Sequence, residues 1–355
     1  MGISRSSARR IRPKINDVAD LAGVSIKTVS RVLNNEPNVR PETRDKVKAA
    51  VRDLNYVPDV SARSLAGHRS YIFAMFYDTA SESYLSRFQK GALDACREHH
   101  YHLIVERCSI ADAGTPERIA KTAAQLRVDG VVLLPPVGDT ASIVERFAGL
   151  SIPAALISPG GETHDMPSVR MDDKAAAMEL TRLLIERGHR RIGFIKGHED
   201  HGASALRFSG YLRALEEAGI QSDDALISSG DFSFASGLTA ANQLLAQENS
   251  PSAIFASNDD MAAAAIRAAV DSGLSVPEDM SVVGFDDALI ASATNPSLTT
   301  VRQPVEVMAE AAVKGLVASL LRSAGEEDDT HFTAPFDYEL IHRSSVGDGP
   351  FSGGN

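Results

Sequence analysis

Apolar positions in residues 15–54 fall at helical spacing in three short runs. Val18 and Leu21, three apart, mark the inner face of a helix capped by Asn16 and ending at Ala22, and Gly23 supplies the permissive backbone of a tight turn. Ser25 caps a second helix over residues 26–34, which buries Val29, Val32 and Leu33 and leaves Ile26, Lys27, Ser30 and Arg31 outside. Pro37 and Pro41 bracket a loop, and residues 42–54 form a third helix with Val47, Ala50, Val51 and Leu54 on one face. Pro58 closes this unit. The following stretch, 59–70, is too short for a stable helix on its own in water and reads as a linker.

Beyond Tyr71 the pattern changes to short apolar runs alternating with amphipathic ones. YIFAMFY, HLIVE, GVVLLP and PAALI alternate with helices at 83–99, 116–127 and 140–148. A second series, SVRMD, RIGFIKG, ALISS, AIFAS and SVVGF, alternates with helices at 173–187, 203–218, 234–246 and 259–272. Strands that are apolar throughout imply parallel sheets covered on both faces, and two series imply two lobes. EEDD at 326–329 reads as a solvated loop, residues 1–13 as a flexible basic arm, and 344–355 as a disordered tail.

A chain of 355 residues with 43% hydrophobic and 23% charged residues is sized for two or three globular domains. No apolar stretch approaches the length of a membrane span, and the N-terminus lacks the apolar core of a secretory signal, so the expected location is the cytoplasm. Cys96 and Cys108 have no metal-binding spacing and read as buried or idle thiols. The net charge of −11 is sorted along the chain: residues 1–70 carry 14 Lys and Arg against 7 Asp and Glu, a net of +7, and the remainder carries 22 against 40, a net of −18. A small basic head on a large acidic body suits a nucleic-acid reader with a separate sensing domain, while the basic arm alone would account for much of the excess.

Short first helix, glycine turn, capped second helix with basic exposed residues and a third supporting helix together make a helix-turn-helix. Lys27 and Arg31, one turn apart, can reach guanine O6 and N7 in a major groove, and Ile26 a thymine methyl. The alternative packs Ile26 on a neighbour and sets Lys27 on phosphate. Ser25, Thr28, Ser30 and Asn34 offer hydroxyls and an amide to phosphates, although Ser25 also serves as a helix cap. The segments AGVSIKTVSRVLN and ARSLAG, followed by RRIGFI, AIFASND, VPEDMSVVGFDD and SLTTVRQP, resemble the lactose-repressor (LacI/GalR) family of bacterial transcription regulators across nearly the whole chain.

The resemblance implies a small all-α helix-turn-helix head over 14–58, a hinge helix at 59–70, and a periplasmic-binding-protein-like α/β body over 71–343. Two parallel-sheet lobes joined by three crossings are implied, the first about 71–160 with 302–325, the second about 161–301 with 330–343. In the hinge, Leu65 is the implied minor-groove wedge, Ala62 permits close approach and Arg63 lies along the groove, although Leu65 could simply pack on the body. Family base-reading positions fall on Ile26, Lys27 and Arg31, and effector positions on Tyr84, Arg207, Phe232, Asn258 and Asp286, all placed after strand ends where open α/β sheets bind ligands. Asn258 and Asp259 could instead cap the helix that follows, and Asp287 could serve the fold. Ser158 stands where many relatives carry an acidic residue, and DTASESYLSRF departs from the common pattern after the first strand, which leaves the effector open.

The implied partners are a near-palindromic DNA operator, a second copy of the chain, and a small effector, a sugar or sugar derivative, acting by induction. A purine-responsive, corepressed regulator of the same family is the alternative. A periplasmic-type solute receptor would share the body but lacks a place for residues 15–67. No nucleophile elbow, phosphate loop or dinucleotide fingerprint is present, so no enzyme and no cofactor are expected. HEDH at 198–201 lacks helical HExxH spacing, so no metal is expected there either.

Overall fold

A computed structural model describes residues 13–33, 39–56, 69–78, 81–150, 152–160, 163, 166–323 and 335–350. The chain divides into two compact units, Met1–Ser70 and Tyr71–Asn355.

The head contains α1 (Ile15–Ala22), α2 (Ile26–Leu33) and α3 (Pro41–Asp53). Val18, Ala19, Val29, Val32, Val47, Ala50 and Tyr56 form its core. Gly23 closes α1 at φ 66°, where a side chain would strain the backbone. Three local expectations change. Leu21 is 55% exposed, because the inward stripe of α1 runs through Ile15, Val18, Ala19 and Ala22 and leaves Leu21 to one side. Asn16 lies inside α1; the start is fixed by the Asp17 carboxylate, which accepts the Lys14 backbone N–H at 2.7 Å. Pro41 belongs to α3, where its fixed φ suits the first turn.

In the body, β1 (Ile72–Tyr77), β2 (His102–Arg107), β3 (Gly130–Leu133), β4 (Ala154–Ile157) and β5 (Ser168–Val169) form a parallel sheet in the order β2-β1-β3-β4-β5. Alternation along β1 sends Phe73 and Met75 to one face and Ala74 and Phe76 to the other. The first face is covered by α4 (Glu82–Glu98) and α12 (Val305–Ser323), through Phe88, Ala92, Met308 and Leu316. The second is covered by α5 (Thr115–Leu126) and α6 (Ala141–Ala148), through Ile119, Ala123, Ile143 and Phe147.

The other lobe holds β6 (Ile192–Lys196), β7 (Ile227–Ser229), β8 (Ala253–Ala256) and β9 (Ser281–Val283), parallel in the order β7-β6-β8-β9. Its faces are covered by α7 (Asp173–Glu186) with α8 (Gly202–Glu217), and by α9 (Phe234–Leu245) with α10 (Asp259–Asp271). A short α11 (Leu289–Ala293) leads to the antiparallel pair β10 (Thr300–Arg302) and β11 (Glu339–Ile341). Val301 and Leu340 pack into the second lobe, whereas α12 and Phe336 pack into the first.

The first crossing lies later than the expected 160–161 border. β5 pairs with β4 through Leu156↔Ser168 and Ile157↔Val169, so the chain leaves the first sheet only after Val169. The expected disordered tail is also ordered at its start. Ser345 is buried and donates to Val282 O, and Gly349 N donates to Arg187 O at 2.7 Å, fastening residues 344–350 to the second lobe. Residues 351–355, the loop EEDD and most of the basic arm lie outside the described residues.

Candidate functional site

In the head, burial of Val29 and Val32 against α1 and α3 turns the opposite face of α2 to solvent. Ile26 is 48% exposed, and Lys27 and Arg31 are exposed beside it. Ile26 therefore has no buried packing role. Ser25 Oγ accepts the Thr28 N–H at 3.2 Å, capping α2, and pairs with Thr28 Oγ1 at 2.9 Å; Ser30 is half-buried on the same helix. Asn34, Ala62, Arg63 and Leu65 lie outside the described residues.

In the body, a narrow cleft opens at the C-terminal strand ends and is lined by both lobes. Ser81, Tyr84, Pro135 and Ser158 come from the first lobe; His201, Ala203, Arg207, Phe232 and Asp286 come from the second, with Gln303 at a crossing. Five of the six expected effector residues meet here. Asn258 does not line the cleft: its Oδ1 caps α10 through Met261 N at 3.0 Å, and its Nδ2 donates to Phe232 O at 2.9 Å. It thereby fixes the backbone of a residue that does line the cleft.

Arg207 is the cleft's central cation. Its Nε donates to Asp173 Oδ1 at 2.9 Å and its Nη1 to Ser257 O at 2.6 Å, with the guanidinium stacked on Phe285. Asp286 stands 3.8 Å from Arg207 Nη1 and accepts from Gln303 Nε2. Burial raises the Asp286 carboxyl to about 6, with Arg207 pulling the other way. Burial likewise raises the Tyr84 phenol, and it lowers His201 to about 3, so both stay neutral at ordinary pH. Among the described residues His201 Nδ1 is buried without a hydrogen-bond partner, a polar atom in the wall of the cleft.

Backbone strain collects at the same place. Ser158 (φ 44°), Phe232 (φ 71°) and Asp286 (φ 117°) all occupy the left-handed region without being glycine. Such conformations cost about 1–3 kcal/mol each and persist where the surroundings enforce them. Gly197 makes room for one of them, since a Cβ there would fall 2.0 Å from Phe232 Cζ.

Two flanking aspartates serve the fold. Asp259 accepts from Thr300 Oγ1 and Ala288 N, and its carboxyl is raised by burial and by Asp286. Asp287 pairs with Arg302 at 2.7 Å and Arg343 at 2.6 Å. Sequence reasoning missed Ser81, Pro135, His201 and Gln303. The rule that ligands sit past strand ends reaches Ser81 and Pro135, which follow β1 and β3, whereas the HEDH run around His201 offers the sequence only a metal-like signal. Among the described residues no cluster of three or more His, Cys, Asp or Glu side chains could hold a metal, and no helix is long and apolar enough to cross a membrane. Cys96 and Cys108 are buried free thiols, their pKa raised by burial to about 12 and about 11.

Residues 14–59 match the signature "Bacterial regulatory proteins, lacI family", and residues 181–346 match a periplasmic binding protein-like domain. The HTH-type transcriptional repressor PurR of Pectobacterium atrosepticum is 35% identical over 95% of this chain and 98% of its own length. Catabolite control protein A of Priestia megaterium is 34% identical over 82% of this chain and 87% of its own. Among solved structures, the transcriptional regulator CelR in complex with cellobiose superposes with a TM-score of 0.71 at 32% identity, covering 94% of this chain and 100% of that one. The Lac repressor dimer bound to operator and the anti-inducer ONPF gives 0.79 at 28% identity, covering 95% and 100%. With its helix-turn-helix head and two-lobed ligand-binding body, the chain belongs to the LacI family of bacterial transcription regulators, which are DNA-binding proteins and not enzymes.

Proposed function

We propose that the protein is a cytoplasmic repressor of carbohydrate-utilisation genes that binds a near-palindromic operator as a homodimer and releases it when a sugar or sugar derivative enters the cleft. Ile26, Lys27 and Arg31 read base edges; Ser25, Thr28, Ser30 and Asn34 hold phosphates; Ala62, Arg63 and Leu65 act in the minor groove. A single head offers too little surface for high specificity, which favours paired half-sites. The Lac repressor's capture as a dimer on operator supports the same arrangement here.

The observation that carries the sugar reading is the convergence of Arg207, Asp286 and Gln303 on a cleft walled by Phe232 and Tyr84. Paired donors and acceptors suit neighbouring hydroxyls, and an aromatic face suits the C–H face of a pyranose. CelR, similar over nearly its whole length, holds cellobiose. The ligand acts by binding two body conformations unequally, with a coupling of about 1–3 kcal/mol.

The test is release of operator complexes by sugars and by purines. Arg207→Ala is a poor variant, because it strands the buried Asp173 carboxylate and costs about 3–5 kcal/mol of stability. Asp286→Asn keeps the shape and tolerates the positive φ. It should lose at least tenfold in effector sensitivity while still binding operator. Release by purines alone, or an Asp286→Asn protein that responds like wild type, overturns the assignment.

A further inference from the structure

We propose that the cleft excludes anions, so that the effector is an uncharged polyol carrying neither phosphate nor carboxylate. This rests on the reading of the cleft as the effector site and narrows it.

Among the described residues, each charged side chain and helix N-terminus near the cleft that could attract an anion already has a partner within the protein. Among the described residues lining it, Arg207 is the only Lys or Arg, and its charge is matched by Asp173 at 2.9 Å, both side chains being at least 95% buried. Asp286 adds a second carboxylate 3.8 Å from the same guanidinium. Arg87, on α4, is turned away: its Nη1 donates to Asp286 O at 2.7 Å, its Nη2 to Gln303 O at 2.9 Å, and its Nε to Glu306 at 3.1 Å.

Helix N-termini are the other common anion seats. The N-terminus of α8 reaches the cleft through His201 and Ala203, but Asp139 of the first lobe accepts the Gly202 N–H at 3.0 Å and the Gly160 N–H at 2.6 Å. At α4, Ser81 Oγ accepts the Tyr84 N–H. The open hollow that adjoins the cleft and shares His201 is lined by Asp139, Glu199 and Asp200, with no Lys or Arg among its described residues.

A phosphate entering here would meet a guanidinium whose charge Asp173 and Asp286 already match, beside a hollow lined by carboxylates, and its lost hydration would be poorly compensated. A neutral hydroxylated ligand loses nothing by this. It can receive Arg207 N–H groups, offer hydrogens to Asp286, and pair with His201 Nδ1, which as a neutral ring nitrogen carries no charge to attract an anion.

The experiment measures the melting temperature of the full-length protein, and release of its operator, with glucose, galactose, ribose and cellobiose beside their phosphate esters and aldonic acids. Hypoxanthine and adenine serve as neutral non-sugars. At least one neutral sugar should bind at least tenfold more tightly than its charged counterpart. In a Glu199→Gln, Asp200→Asn protein, altered only at the exposed rim, that ratio should narrow severalfold. A phosphorylated or carboxylated sugar that matches or beats its parent overturns the exclusion of anions and leaves the sugar reading standing. A neutral base that binds while all sugars fail overturns the sugar reading and upholds the exclusion. If no neutral compound binds, the proposal fails.

Discussion

Asp286 concentrates the conflict between stability and ligand recognition. Its carboxyl titrates at about 6 in the folded protein because burial disfavours the charge, against about 3.9 in an unfolded chain. A raised folded value means that the native state holds the proton more tightly. The stability this contributes is fully present below about pH 4 and is lost as pH rises through 6. The ionised form present at neutral pH thus weakens the fold while offering acceptors to a ligand. Asp286→Asn should therefore melt higher than wild type at pH 7, with the difference shrinking toward pH 4; calorimetry at both pH values checks the sign. A wild type that gains stability relative to the variant between pH 4 and 7 would show that Arg207 outweighs burial. His201 takes no part in this window, since burial holds it neutral down to about pH 3.

At the scale of elements, apolar periodicity suffices for the helices of the head and for the strand runs of the body, because each buries a continuous face, but not for the sheet to which every run belongs. It falls short where a residue's place depends on partners distant in sequence. Leu21 sits at a spacing compatible with either side of a narrow stripe, and only the packing of α1 on α2 and α3 decides which. SVRMD reads as a strand but opens the second series in the sequence, whereas its first two residues, β5, close the first sheet because β4 offers them an edge. Ser345 and Gly349 lie in a glycine-rich stretch that reads as tail, yet the second lobe holds it by individual hydrogen bonds. Of the expected effector residues, those that line the cleft are legible from their places after strand ends, while Asn258 has two readings that the geometry divides: it caps a helix and braces Phe232. The recognition helix permits a sharper expectation. Lys27 and Arg31 are exposed on the face of α2 opposite its buried residues, so Lys27→Ala should leave the melting temperature unchanged, and Lys27→Ala or Arg31→Ala should cost roughly 1–3 kcal/mol in operator binding and relax selectivity at one half-site position. Ser30→Ala should weaken all sequences alike. Binding measured across a set of single-base operator variants separates the two behaviours, and unchanged selectivity in the Lys27 and Arg31 proteins would reduce both side chains to phosphate contacts.

At the scale of the whole body, the two lobes touch where neither carries a side chain. A Cβ built on Gly160 would fall 2.5 Å from Gly202 Cα, and one built on Gly202 would fall 2.5 Å from Gly160 Cα. Gly160 follows β4 in the first lobe and Gly202 opens α8 in the second, so this backbone-to-backbone approach sets how closely the lobes can come together. Asp139 spans the same gap, accepting from both glycine N–H groups, and its carboxyl is raised by burial against those two bonds. Neither glycine has a positive φ, so alanine is compatible with the backbone at either position and its effect would be confined to the contact. Backbone cannot yield as a flexible side chain can, and relief must come from opening the cleft. Gly160→Ala should therefore bias the body toward an open form. If the effector is gripped by both lobes, its affinity should fall at least tenfold, with each lobe's own packing unchanged. Ligand titration by calorimetry and small-angle scattering of the variant provide the check, the scattering expected to show a larger radius of gyration than wild type. A Gly160→Ala protein that keeps both wild-type affinity and wild-type dimensions would mean that this contact does not limit closure.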